Sequence, residues 1–336
     1  MLPQALISQS EGFMNAAMYS NANKIKRTNS RRVTGATVLF FIALIILSPL
    51  AAAQDIRDEV EHVFAENDGT KIHYAKMGSG PLIVFIHGFP DFWYSWRHQM
   101  QGLSSDFTVA AMDTRGYNLS DQPSGVENYD MQILIEDVAS VVRNEGQESA
   151  IIVGHDWGGG IAWSFAAWRP EMTSHLVIMN LPHLKGFARE LAKMEEQHKN
   201  STYARNFQRP NSHESITAQG LAMALSRGDE VLQPIYLEAF ERSSADAMMN
   251  YYRANFPREP YTSGAFVDLP RIQMPVLQFH GMNDTALLPD SLNDTWDELD
   301  QDWTLVTVPN AGHWPHHDKP DVVTNMMRAW LTLHAE

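Results

Sequence analysis

Asp156, Asp284 and His313 lie far apart in this chain, yet they follow the order nucleophile, acid, base. Asp156 stands in Gly-His-Asp-Trp-Gly-Gly, residues 154–159, directly after the apolar run Ala150-Ile151-Ile152-Val153. Such a run, met at once by a polar residue between glycines, predicts a nucleophile elbow. There a tight strand-to-helix turn lifts one side chain above a sheet, and the glycines let two backbones pass closely. The lifted group here is a carboxylate. A carboxylate attacks a saturated carbon by displacement and leaves an alkyl ester on the enzyme, which water must then open at the carbonyl. Ordinary ester hydrolysis does not fit, since no serine occupies the turn; Ser120 and Ser164 are near the motifs but not at it. An Asp that merely capped the next helix would explain the local motif, but not its partners downstream.

Opening an ester takes a base to activate water and an acid to orient that base. Asp284, in His-Gly-Met-Asn-Asp-Thr-Ala-Leu-Leu-Pro, follows the apolar run 276–279, and His313, in Asn-Ala-Gly-His-Trp-Pro, follows the run 305–308. If all these strands run parallel, both loops fall at the same sheet end as Asp156. Imidazole suits the base role because it titrates near neutrality, and a carboxylate on its far nitrogen fixes the tautomer and stabilises the imidazolium. Asp284 by itself is ordinary loop chemistry; its weight comes from spacing and chain order. The ester carbonyl oxygen becomes an oxyanion under attack, so backbone donors should point at it. The expected donors are the N–H of Trp157, next after the nucleophile, and the N–H of Phe89, in a His-Gly-Phe-Pro loop shaped by Gly88 and Pro90.

Two other groupings suggest less. His313, His316 and His317 invite a metal, but Pro315 is expected to break the helix that would align them, and the nearest acid is Asp318; no metal and no organic cofactor is expected. Gly78-Ser79-Gly80 lacks the lysine of a phosphate-binding loop and reads as a turn. Phe92, Trp93, Tyr94 and Trp96 read as packing.

The elements that must position these residues are those of an α/β sheet. Asn67-Asp68-Gly69 between two β-type runs predicts an antiparallel hairpin. Apolar runs at 82–86, 109–112, 151–153, 176–179, 276–279 and 305–308, separated by helix-length stretches, predict a mostly parallel sheet covered by helices on both faces. Residues 133–142 and 322–333 carry helical periodicity, the latter after Pro320 at a helix start. Between Pro182 and Pro270 the strand rhythm stops, and helical pieces at 187–198, 216–226 and 245–255 predict a helical lid over the strand ends, where open α/β sheets bind ligands. The expected division is 1–53 an N-terminal signal, 54–182 the first part of the core, 183–269 the helical cap and 270–336 the second part of the core.

Composition agrees with an enzyme-sized globular chain: 336 residues, 44% hydrophobic and 19% charged, with formal charge -15. Residues 1–53 hold five of the 25 basic residues and one of the 40 acidic ones, leaving 20 against 39, or -19, for the rest. A surface this acidic excludes nucleic acid as the expected partner. There is no cysteine, which rules out disulfides, thiolate zinc sites and a cysteine nucleophile. Basic residues 24–32, the apolar stretch 36–50 and Ala51-Ala52-Ala53-Gln54 form the three regions of a secretory signal, with cleavage expected after Ala53. The alternative is an uncleaved single-pass anchor, for which the run is a little short of the roughly 20 residues needed.

Over residues 60–333 the chain resembles the epoxide hydrolases of the α/β-hydrolase superfamily. The likeness is carried by His-Gly-Phe-Pro-Asp-Phe-Trp-Tyr-Ser-Trp-Arg, by residues 113–123 (Asp-Thr-Arg-Gly-Tyr-Asn-Leu-Ser-Asp-Gln-Pro), by Gly-His-Asp-Trp-Gly-Gly and by Gly-His-Trp-Pro. It implies the α/β-hydrolase fold with an inserted cap, a small apolar epoxide and water as the reacting partners, and a vicinal diol as product. It also implies an acid for the departing oxygen: two cap tyrosines, matched here by Tyr203 in Tyr-Ala-Arg-Asn-Phe-Gln-Arg-Pro and Tyr252 in Asn-Tyr-Tyr-Arg. Tyr251 is expected to point elsewhere. A homodimer is permitted by this reading but not specified by it. The competing reading is a haloalkane or haloacid dehalogenase with the same Asp nucleophile. Against it, Phe89 stands where the haloalkane type usually has a halide-holding side chain such as Asn, and Trp157 where the haloacid type has Arg. A non-catalytic binding protein on the same fold would be expected to lose a triad member, and none is lost.

Overall fold

The structure, a computed structural model, describes residues 55–266 and 268–335. The expected export signal lies outside the described residues. Residues 56–336 form one compact unit, built on an eight-stranded sheet: β1 (Glu61–Asn67), β2 (Thr70–Gly78), β3 (Leu82–Ile86), β4 (Thr108–Met112), β5 (Ala150–His155), β6 (Thr173–Met179), β7 (Val276–Gly281) and β8 (Trp303–Val308). Their spatial order is β1-β2-β4-β3-β5-β6-β7-β8. Strands β3 to β8 run parallel, while β2 pairs antiparallel with both β1 and β4. The expected mostly parallel sheet is thus formed by six parallel strands, with the expected antiparallel hairpin at one edge.

The physical causes are local. At the β1–β2 turn Asp68 and Gly69 both have positive φ, +47° and +78°, the conformation of a tight hairpin turn whose twist matches its strands. Strands β3 and β5 are buried along their whole length, as interior parallel strands must be when helices cover both faces.

The helices in chain order are α1 (Arg97–Leu103), α2 (Met131–Asn144), α3 (Trp157–Trp168), α4 (Leu184–Lys193), α5 (Glu195–Asn200), α6 (Thr202–Phe207), α7 (Ala218–Ser226), α8 (Leu232–Arg242), α9 (Ala245–Asn255), α10 (Pro315–Asp318) and α11 (Pro320–Leu333). Helix α2 buries Leu134, Ile135, Val138, Val141 and Val142, an apolar stripe at helical spacing. Helices α4 to α9 form the insertion between β6 and β7. The single helix expected at 187–198 is broken at Met194, which is extended (φ −96°, ψ 115°). Helices α6 and α8 were not anticipated. The first is only six residues long, and the second carries Pro234 in its first turn, where the missing N–H has no helical acceptor to lose. Pro315 likewise opens the one-turn helix α10 where it was expected to break a helix. Among the described residues no helix is long and apolar enough to cross a membrane.

Candidate active site

The turn between β5 and α3 holds Asp156 at φ +52°, ψ −121°, a left-handed φ that a side chain with a Cβ enters only under strain. Two close approaches enforce it. A Cβ on Gly88 would lie 2.3 Å from the Asp156 Cβ, and one on Gly158 would lie 2.1 Å from the Ile86 carbonyl oxygen. The elbow and the loop after β3 thus interlock through glycines, and Asp156 is left 8% exposed.

The two carboxylate oxygens of Asp156 are already distinguished. Oδ1 accepts a hydrogen bond from the Phe89 amide at 2.7 Å. Oδ2 lies 3.4 Å from Nε2 of His313. Trp157 is the first residue of α3, so its amide is among those a helix leaves without an internal acceptor. On the other side of the imidazole, Nδ1 of His313 lies 2.7 Å from Oδ2 of Asp284. The three loops after β5, β7 and β8 converge because those strands are parallel.

Asn180, which the residue-by-residue reading passed over, ties this set together. It directly follows β6, with φ +61°, and is fully buried. Its Nδ2 donates to Asp284 Oδ2 at 2.7 Å and to the Gly312 carbonyl at 3.1 Å, while its Oδ1 accepts from the Gly281 amide at 2.9 Å. The other Asp284 oxygen accepts from the amides of Ala286 and Leu287 at 2.7 and 3.1 Å. The acid thus has every lone-pair direction used except those facing the base. A second such residue is His155, whose Nε2–H donates to the His313 carbonyl at 2.7 Å. The signal for Asn180 was its place directly after a strand in Asn-Leu-Pro-His; nothing local marked His155.

Charge follows geometry. Burial works against an imidazolium at His313, but the charges and hydrogen bonds of Asp284 and Asp156 outweigh it and push the ring up to about 10. Burial likewise opposes a charge on Asp284, yet His313, Asn180 and the Leu287 amide bring it down to about 2. Asp156 is lowered for the same reasons, burial being outweighed by His313, His155 and the Phe89 amide. The resting set is an imidazolium between two carboxylates.

Above it stands an aromatic wall from the insertion. The Tyr252 ring meets Trp157 edge-on at 5.0 Å and Phe89 at 5.6 Å, Tyr203 lies 6.2 Å from Tyr252, and Phe207 touches Phe89, Tyr203 and Tyr252. Burial, then the negative charge of Asp156, raises the titration of both Tyr203 and Tyr252. Tyr251 faces away, its hydroxyl donating to the Arg115 carbonyl at 2.7 Å. His316 and His317 both reach Ser95, at 3.1 and 2.9 Å, and among the described residues no group of three or more His, Asp or Glu is placed to hold a metal ion. Phe92, Trp93, Tyr94 and Trp96 are buried.

Comparison with known proteins bears on this arrangement. Residues 81–320 match the family model described as the alpha/beta hydrolase fold. The chain is 33% identical to the AB hydrolase superfamily protein YfhM of Bacillus subtilis, over 82% of this chain and 99% of that protein. It is 32% identical to epoxide hydrolase 1 of Caenorhabditis elegans, over 79% of this chain and 68% of that one. Among solved structures, the Bacillus megaterium epoxide hydrolase in complex with an inhibitor superposes with a TM-score of 0.75 at 32% identity, covering 80% of this chain and all of that one. With the elbow, the strand order and a family model matched over most of its length, the chain belongs to the α/β-hydrolase superfamily.

Proposed function

We propose that this protein is an epoxide hydrolase that turns a small apolar epoxide into a vicinal diol through an ester on Asp156. The observation that carries the reading is the division of labour within one carboxylate: Oδ1 is bonded to the Phe89 amide, while Oδ2 faces only the His313 imidazole at 3.4 Å, beside a wall that holds the buried Tyr252 and the half-buried Tyr203. The epoxide hydrolases among its relatives support the same assignment.

In the first step Asp156 Oδ2 forms a bond to the less hindered epoxide carbon and the C–O bond of the ring breaks. The departing oxygen takes a proton from the Tyr203 and Tyr252 pair, a sensible source because an alkoxide is a far stronger base than a phenolate. In the second, His313 takes a proton from water and the hydroxide adds to the ester carbonyl, whose oxyanion is met by the amides of Phe89 and Trp157. Collapse expels the diol oxygen, which takes the proton of the Asp156 carboxyl so formed; the carboxylate is restored and His313 is left protonated, as it began. The charges of the site favour this order. Once Asp156 is esterified its charge no longer holds a proton on His313; that proton passes to the phenolate left by ring opening, so the imidazole becomes available as a base only after the intermediate exists. In this reading the insertion is a lid, with no charged side chain in its aromatic wall to welcome an ionic substrate. The signal-like segment at residues 24–54 makes the enzyme an exported one.

The test is to trap the ester. His313→Gln should alkylate with styrene oxide and stall, giving a stable mass increase on the Asp156 peptide, and Asp156→Ala should give none. In heavy-oxygen water a single turnover should label Asp156 and leave the first diol unlabelled; label appearing directly in that diol would overturn the mechanism. Halide release from a chloroalkane without diol formation from styrene oxide would instead establish a dehalogenase.

A further inference from the structure

Arg227 belongs to the insertion, yet its contacts are with the loop that carries His313. Its Nη1 is paired with Asp318 Oδ1, and its guanidinium lies 5.5 Å from the centre of the Trp314 ring. Both partners are fixed to the base. The Trp314 ring meets the His313 imidazole edge-on at 4.7 Å. The other oxygen of Asp318 accepts the Gly312 amide at 2.7 Å, and the Asp318 amide donates to the Trp314 carbonyl at 2.9 Å. Asp318 therefore closes residues 312–318 into a ring around His313, and Arg227 holds that ring from the lid side.

The backbone at Arg227 carries a second, independent mark. Helix α7 ends on it in the left-handed conformation, φ +51°, ψ 33°, where helices usually place Gly. Gly228 follows at once with φ +85°, so the chain spends a strained position on arginine with a glycine next door. Strain of this kind persists where surrounding contacts require it, and the contacts here are Asp318 and Trp314. Opposite ends of the lid are held differently: Tyr251 and Asn255 of α9 bond to carbonyls of Arg115 and Tyr129, away from the base.

We infer that Arg227 is a positioning residue that latches the lid onto the His313 loop, so that the base is held in register for ester hydrolysis only while the lid is seated. This rests on the epoxide hydrolase reading for its kinetic consequence, though not for its structural one. Alkylation needs Asp156 and the phenols; ester hydrolysis needs His313. Loss of the latch should therefore slow the second step selectively.

Arg227→Met, Arg227→Lys and the wild type are compared in rapid-mixing single turnovers with styrene oxide, and by hydrogen exchange of the 312–318 amides. Arg227→Met should slow ester hydrolysis about three- to tenfold, in keeping with an ion pair open to water on one side, while alkylation stays within about twofold and ester accumulates. Exchange at Gly312 should quicken. Raised salt should slow wild-type hydrolysis and leave Arg227→Met unchanged. Arg227→Lys should restore the salt dependence but only part of the rate, because an ammonium lacks the flat face that lies against Trp314. Equal slowing of both steps, or unchanged exchange at 312–318, would overturn the latch. If the wild type opens no epoxide the functional reading fails, and the exchange comparison still decides the latch.

Discussion

At the scale of single residues, the site is governed by which oxygen and which nitrogen each partner occupies. In the proposed mechanism Tyr203 and Tyr252 share the leaving oxygen, so replacing either with Phe should slow alkylation about tenfold to a hundredfold, below the roughly 10²–10⁴ of a lone acid because the second phenol remains. Tyr251→Phe should leave alkylation unchanged, since its hydroxyl is committed to the Arg115 carbonyl; stopped-flow quenching of tryptophan fluorescence would compare the three. Proton linkage supplies a second expectation. His313, raised from 6.5 to about 10, adds stability that is complete below 6.5 and drains away as pH climbs through 10. Asp284, lowered from 3.8 to about 2, adds stability present above 3.8 and lost as pH falls through 2. The triad thus stabilises most between those two ordinary values. The melting-temperature advantage of wild type over His313→Gln should shrink steadily from pH 6.5 to 10, and a constant gap would mean that the resting imidazole is neutral. Asp156 directly follows a readable strand, and Asp284 and His313 each lie in the loop after one, so their types and chain order made them legible. Asn180 and His155 were not, because their meaning lies in bonds to partners 104 and 158 residues away.

At the scale of elements, the β5–α3 elbow is the part under most steric constraint. Gly158→Ala would drive a Cβ to 2.1 Å from the Ile86 carbonyl, backbone against backbone. Neither side can yield by rotating a side chain, so the substitution should cost more than about 3 kcal/mol and cut alkylation at least a hundredfold. Gly160→Ala is the control. Two residues along the same helix, its Cβ would meet only Leu181 Cδ2 at 3.5 Å, an ordinary contact, and Ala in a helix interior is favoured over Gly by roughly 0.5–1 kcal/mol. Urea unfolding of the two variants should move in opposite directions. The insertion was harder to read than the sheet. Buried strands announce themselves as unbroken apolar runs, whereas α4 and α5 differ only by the extended Met194 between them, and α6 is too short to show a period.

At the scale of the molecule, a buried ion pair within the core fixes a residue whose main chain also holds the insertion. Arg115, in the loop after β4, pairs through Nε and Nη2 with both oxygens of Asp137 on α2 at 2.6 and 2.5 Å, and its carbonyl accepts the Tyr251 hydroxyl of α9. Asp137→Ala strands a guanidinium that is 2% exposed, an error that costs about 3–5 kcal/mol. For a domain of this size that is a drop of roughly 10 °C in melting temperature, measurable by calorimetry; replacing both partners with apolar residues of like volume should restore much of it.

What the amino-acid order by itself determined is the class of chemistry and the sheet beneath it. A carboxylate in a glycine-flanked turn, apolar runs of strand length, and an acid and a histidine each one loop past a strand are local facts, set by neighbours in the chain. Tertiary structure alone decided which Asp156 oxygen meets the amide of Phe89, that Asn180 anchors the acid, and that Arg227 reaches from the insertion to the loop of the base. Those are encounters between segments 67 to 104 residues apart in sequence, joined across packing angles that no periodicity encodes, and only the closed fold brings them within hydrogen-bonding distance.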